Sequence, residues 1–129
     1  MRLIPSNLPS RITVGFSKGK GRGVFATKRI FVDEIIEKAP VLLVPREQVE
    51  ILANTFLGSY MFNSDNRKHV VIGLGLTSML NHDEDPNAEF FIVGDNITIK
   101  AKRGISAGAE ITINYGWDPM DSSLKKRDL

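Results

Sequence analysis

The sequence predicts a mostly-β domain of small curved sheets carrying one short helix. Three observations lead there. Short apolar or alternating runs recur throughout, punctuated by glycine, proline and asparagine. A single segment shows apolar residues at helical spacing. No segment approaches the roughly 20 consecutive apolar residues of a membrane helix.

Arg11 to Phe16 alternates, placing Ile12, Val14 and Phe16 on one face. Gly19-Lys20-Gly21-Arg22-Gly23 reads as a turn, and Val24-Phe25-Ala26 as the apolar stretch after it. Glu34 to Glu37 and Val41 to Val44 read as two strands broken by Pro40, because proline cannot donate to a ladder. The helix opens with Pro45 at its first position and has Glu47 and Glu50 in its early turns. Val49, Leu52 and Phe56 form its stripe, and Gly58 is its expected end. Tyr60 to Phe62 and Lys68 to Ile72 form a strand pair around Asn63-Ser64-Asp65-Asn66. Ala88 to Val93 and Asn96 to Lys102 form the clearest hairpin, joined at Gly94-Asp95. Glu110 to Tyr115 is the last strand.

A faint internal echo runs through this pattern. Ala26-Thr27-Lys28-Arg29-Ile30 leads to Asp33-Glu34-Ile35-Ile36, and Ala101-Lys102-Arg103-Gly104-Ile105 leads to Gly108-Ala109-Glu110-Ile111. Two copies are too few for a solenoid and suit a compact fold of paired β units.

A chain of 129 residues fits one domain, taken as 1–129, with a core over about 11–118 and a polar tail over 119–129. The hydrophobic fraction of 42% and charged fraction of 25% are those of an ordinary globular protein. The absence of cysteine excludes disulfides, a thiolate nucleophile and Cys-ligated metals. The opening residues lack the apolar run of a signal peptide, so an intracellular setting is expected. A net charge of +2 is too weak a bias to imply direct nucleic-acid binding, and no membrane association is expected.

Common catalytic sets fail on composition. The two histidines, His69 and His82, come without a Gly-x-Ser-x-Gly elbow or a His-Glu-x-x-His spacing, so neither a serine triad nor a metal site is expected. Gly19 to Gly23 is neither a Walker loop nor a Rossmann fingerprint.

Three segments remain. Gly21-Arg22-Gly23 lets the backbone approach a ligand closely, or serves only as a tight turn. Asn81-His82, followed by Asp85-Pro86-Asn87, offers backbone and amide groups to a base edge, or is a capped turn with a core histidine. Tyr115, before Gly116, is a reactive-site phenol or a packed core tyrosine.

In this order the three segments resemble the signature motifs of SET-domain lysine methyltransferases: an early Gly-x-Gly, an Asn-His followed by Pro-Asn, and a Glu, here Glu110, with Tyr-Gly five residues later. The resemblance spans roughly residues 11 to 118 and looks most like the short viral and bacterial members without flanking cysteine-rich modules. The second motif departs from the frequent Arg-Phe-x-Asn-His-Ser, reading Ser78-Met79-Leu80-Asn81-His82-Asp83.

The resemblance implies a SET-domain, β-clip-like fold in which the Asn-His and Tyr-Gly segments cross in a C-terminal pseudoknot. It implies transfer of a methyl group from S-adenosylmethionine, with S-adenosylhomocysteine as product, to an exposed lysine of a protein such as a histone tail. By the same resemblance Tyr115 is catalytic. Lys20, Gly21, Gly23, Asn81 and His82 hold the cofactor, and Tyr60, Phe90, Ile113 and Trp117 line the lysine channel. Glu110 and the His82 side chain are assigned to structure. A homodimer is expected, in the cytoplasm, or in a host nucleus if the source is viral or a secreted effector. The alternative is a non-catalytic protein-binding module on the same scaffold.

Overall fold

A computed structural model describes residues 10–64 and 69–116. Within them, two sheets enclose one core. The first sheet orders β1 (Ile12–Ser17), β2 (Gly21–Ala26), β9 (Glu110–Ile113) and β6 (Asn81–His82). Its pairs are antiparallel except β6 with β9, which run parallel. The second, wholly antiparallel, orders β4 (Met61–Asn63), β5 (Val70–Gly73), β3 (Ile35–Leu43), β8 (Asn96–Ala101) and β7 (Ala88–Val93). The single α-helix of the described residues, α1, spans Arg46–Ala53.

The core is built from branched aliphatics of both sheets. Val24, Ile111 and Ile113 come from the first, Ile97, Ile99, Phe62 and Val71 from the second, and Ile30 and Ile105 join them. Each such side chain contributes about 1.5–3 kcal/mol by leaving water. Strand β8 shows the pattern best, with Ile97, Ile99 and Ala101 inward and their neighbours half-exposed.

Four expectations change in detail. In β1 Ile12 is the only buried apolar residue, and Val14 and Phe16 reach solvent. This edge strand packs through its other parity, where the Phe25 ring lies over Gly15 so closely that a Cβ there would sit 2.9 Å from Phe25 Cδ1. The glycine-rich turn is shorter than expected. It closes with Lys20 N–H donating to the Ser17 carbonyl (3.0 Å), while Gly21 and Gly23 already belong to β2.

Pro40 does not break β3. The strand changes partners there, from β8 to β5, and the Pro40 carbonyl accepts from Leu74, beyond the end of β5. A donor missing from that side therefore leaves no ladder bond unmade. Finally, Pro45 caps α1 rather than opening it, and the helix ends at Asn54 instead of Gly58. The Thr55 hydroxyl donates to the Leu52 carbonyl (2.7 Å), and a second, 3₁₀ turn over Phe56–Tyr60 follows. Gly58 is needed because that turn folds back on the helix end, where a Cβ would lie 2.6 Å from the Ala53 carbonyl oxygen. The helix buries none of its residues.

The sequence echo proves to be a structural repeat. Its two copies pair antiparallel: Ile30 and Ile105 exchange both backbone hydrogen bonds, Ala26 bonds with Gly108 and Ala109, and Ala101 bonds with Asp33 and Glu34. The turns match too. Glu34 N–H donates to the Phe31 carbonyl as Ala109 N–H does to that of Ser106, and Asp33 (φ 69) and Gly108 (φ 86) take the same left-handed position.

The expected crossing near the C-terminus forms by side-by-side lacing. Asn81 and His82 align with Thr112 and Ile113, and Asp83 N–H donates to the Ile113 carbonyl (2.9 Å). Asn87 clamps the far end, its amide donating to the Glu110 carbonyl (2.8 Å) and accepting from Thr112 N–H (2.9 Å).

Candidate active site

The three sequence motifs converge at this crossing. Gly23 sits in β2 against β9, with no room for a side chain. A Cβ would overlap the Glu110 carboxylate and come within 2.8 Å of Asn81 Nδ2. The Asn81 amide donates to Glu110 Oε2 (2.7 Å) and to the Arg22 carbonyl (3.1 Å). The Ser17 hydroxyl donates to the other Glu110 oxygen (2.8 Å). Asn81 is 4% exposed and Ser17 5%. Glu110 therefore ties β1, β2 and β6 together, in keeping with the structural role expected of it.

The turn before β2 is pinned to β6 as well. Lys20 Nζ donates to the His82 carbonyl (2.8 Å). Gly21 (φ 78) is exposed, with nothing within 4 Å of where a Cβ would be. Lys20 with His82, and Gly23 with Asn81, thus bring the start of β2 and its preceding turn against β6, while Gly21 faces open space.

The His82 ring is fully committed. Its Nδ1 accepts from Tyr115 N–H (3.0 Å), so the proton resides on Nε2, which donates to Glu84 Oε1 (3.0 Å). The ring also lies 5.0 Å from that of Tyr115. The Tyr115 hydroxyl donates to the Leu80 carbonyl (2.8 Å), just before Asn81. An oxygen that has given its proton to a carbonyl acts on any other group as an acceptor.

The expected channel residues differ in their surroundings. Phe90 is half-buried and packs on Phe62 with ring centroids 5.1 Å apart. Ile113 is wholly buried in the core against which Tyr115 packs. Tyr60 ends the 3₁₀ turn, edge-on to Phe56, and its carbonyl accepts from Ser78 Oγ (3.1 Å). Trp117 lies outside the described residues.

Sequence reasoning assigned no role to Ser17, Asn87 or Leu80. Asn87 stood inside a quoted motif, so its clamp was within reach. Ser17 and the Leu80 carbonyl act across 93 and 35 residues of chain, and no local pattern signals them.

One further acid is perturbed. Glu37 is half-buried, which pushes its pKa above the usual carboxylate range, partly offset by the Leu76 N–H donated to it (3.1 Å). It supports the Gly75 turn, away from Tyr115 in the chain.

A two-sheet β fold whose Asn-His and Tyr-Gly segments are laced in parallel defines a SET-type protein. The chain belongs to the SET-domain family, whose profile matches residues 21–116. It is 34% identical over 111 residues to a Schizosaccharomyces pombe histone-lysine N-methyltransferase described as H3 lysine-37 specific, covering 83% of this chain and 74% of that one. It is 30% identical over 127 residues to histone-lysine N-methyltransferase SMYD3 of Mus musculus, covering 98% of this chain but 29% of that one. The chain thus spans under a third of SMYD3. A crystal structure of a proposed histone methyltransferase from Plasmodium falciparum superposes with a TM-score of 0.72 at 28% identity, over 88% of this chain and all of that one.

Proposed function

We propose that this chain is a protein-lysine N-methyltransferase that uses S-adenosylmethionine, with Tyr115 as its catalytic residue. The observation that carries the reading is the convergence of Gly23, Asn81, His82 and Tyr115 on one crossing within a SET-domain fold. The curated relatives are named as histone-lysine methyltransferases, which makes a histone tail the first substrate to test.

The residues present fit the cofactor. Gly21 is exposed with space where a side chain would stand, beside Lys20 and the His82 carbonyl that Lys20 binds, so a ligand can approach the backbone there. The side-chain amide of Asn81 is occupied internally, so its part is to hold the Arg22 carbonyl and Glu110 in place rather than to offer its donors. When bound, the cofactor supplies an electrophilic methyl on a cationic sulfur. Tyr115 would orient the transfer by turning its hydroxyl oxygen, an acceptor fixed by Leu80, toward the cationic sulfur and its methyl.

The incoming amine must be neutral, although a free lysine titrates near roughly 10.4. A channel walled by Tyr60, Phe90 and Ile113 disfavours the ammonium by desolvation, and water carries the proton away. No side chain need serve as the base. Phe90 and Ile113 carry no hydroxyl, so di- or trimethyllysine is the expected product, and a product that stays monomethylated with excess cofactor would instead assign the limiting hydroxyl to Tyr60 on the other wall.

Two supporting readings follow. The enzyme works as a homodimer, the commonest symmetric assembly, which light scattering at assay concentration tests; a monomeric mass with full activity rules it out. Its setting is intracellular, where a histone-like substrate resides. The cofactor assignment is tested by calorimetry with S-adenosylhomocysteine. Saturable binding is expected, and no heat up to millimolar ligand overturns it.

A further inference from the structure

The internal repeat contains its own control experiment. The turns over 31–34 and 106–109 share one hydrogen bond and one left-handed residue, yet differ in side chains. The second copy uses Ser106 and Ala107 where the first uses Phe31 and Val32. The backbone therefore has no need of large apolar groups at these positions. Even so, Phe31 is 57% exposed, Val32 54% and the following Ile35 54%. Three large apolar side chains within five positions, all facing water, mark an interaction surface rather than a folding requirement.

The charges around this turn indicate what covers it. The carboxylates are taken: Glu34 pairs with Arg11 (2.9 Å), and Asp33 lies 3.8 Å from Lys100 Nζ. The cations are not. Lys28, Arg29 and Lys102 are exposed and have no carboxylate within 4.0 Å among the described residues. The Arg29 guanidinium already lies over the Phe31 ring, 5.2 Å from its centroid, and beside Gly104, the echo position that leaves space for it. Lys102 follows Ala101, whose carbonyl accepts from Asp33 N–H. The surface is thus an apolar centre with a net positive rim.

We infer that the Phe31–Val32–Ile35 turn is a docking site for a partner protein segment that carries apolar anchors flanked by Asp and Glu. The apolar centre binds the anchors, and Lys28, Arg29 and Lys102 take the acidic flanks. The site adjoins the Ala26 end of β2, whereas Lys20 and Gly21 lie at its other end, so it shares no residue with the methyl-transfer site and does not depend on that assignment. An apolar centre favours a protein over a nucleic acid, whose phosphates need only the rim.

The test is an NMR titration of the isotope-labelled full chain with a synthetic peptide in which Leu and Phe alternate with Asp and Glu. Saturable shifts are expected at residues 28–35 and 100–102. The double variant Phe31→Ser with Val32→Ala installs the residues the second copy already uses, so its fold is retained, and its peptide affinity falls at least tenfold. Arg29→Glu, which changes no residue of the 31–34 turn, does the same should the double variant misfold. Absence of shifts at millimolar peptide, or shifts confined to other surfaces, overturns the inference. So does tight binding of a duplex oligonucleotide that the double variant leaves unchanged. Shifts that follow protein dilution instead of added peptide likewise overturn it, because they assign the turn to self-association.

Discussion

At the scale of single residues, the site is organised around packing limits rather than free polar groups. Gly23 is held in place by what surrounds it: its missing side chain is the space in which Glu110 and Asn81 meet. Gly23→Ala must push that carboxylate out of reach of Ser17 or Asn81. We expect a cost of about 1–3 kcal/mol in denaturant unfolding, with cofactor affinity lost as well, because the crossing shifts. The same substitution at Gly21 meets no atom but must adopt a positive φ, so it costs about 1 kcal/mol through strain alone.

Glu37 gives a pH-dependent test. Its folded-state pKa is raised, so its contribution to stability is full below the unfolded pKa and is lost as pH rises through the folded value. At neutral pH the buried charge therefore works against folding. Glu37→Gln should raise the melting temperature by roughly a degree or two at pH 7.5, and the gain should vanish near pH 4. A loss of melting temperature at pH 7.5 that shrinks on acidification would show the carboxylate to be stabilising instead.

At the scale of elements, the repeat carries the clearest lesson. The string of bends and turns over 26–36 recurs over 101–111, and the two copies become neighbours by pairing with each other. Asp33 shows that this turn accepts an aspartate at its left-handed position. Gly108→Asp should therefore cost under about 1 kcal/mol, whereas Gly108→Val, β-branched at positive φ, should cost about 2 kcal/mol or more. Chemical denaturation of both variants checks this, and equal costs would contradict it.

The elements that sequence reasoning found best were those with local signals. The Gly94-Asp95 hairpin, with Gly94 at φ 59, follows directly from its turn residues. The unbroken β3 did not, because whether Pro40 interrupts a strand depends on which neighbour its nitrogen faces, and that neighbour lies over thirty residues away at Leu74. The end of α1 was misplaced for a similar reason. Gly58 answers to contact with Ala53, not to helix termination.

At the scale of the whole molecule, the motif residues were legible as a set and their individual duties were not. Gly23, Asn81, His82 and Tyr115 do meet, as the order of the motifs implied. Yet the Asn81 amide faces inward and the His82 ring serves Tyr115 and Glu84, since the crossing of two chain segments demands internal hydrogen bonds first. The buried Ser17 and the half-buried Glu110 are joined only by tertiary structure.

Tyr115 is the group proposed to orient methyl transfer. The direct test is mass spectrometry of lysine-containing histone tails incubated with the enzyme and S-adenosylmethionine, with wild type and Tyr115→Phe run in parallel. Wild type should add methyl groups to a lysine. The variant loses only the hydroxyl bonded to Leu80 and should turn over at least about a hundredfold more slowly, with cofactor affinity changed by no more than a few-fold. A variant as active as wild type would contradict the catalytic assignment, and a wild type that binds no cofactor and transfers no methyl would contradict the function itself.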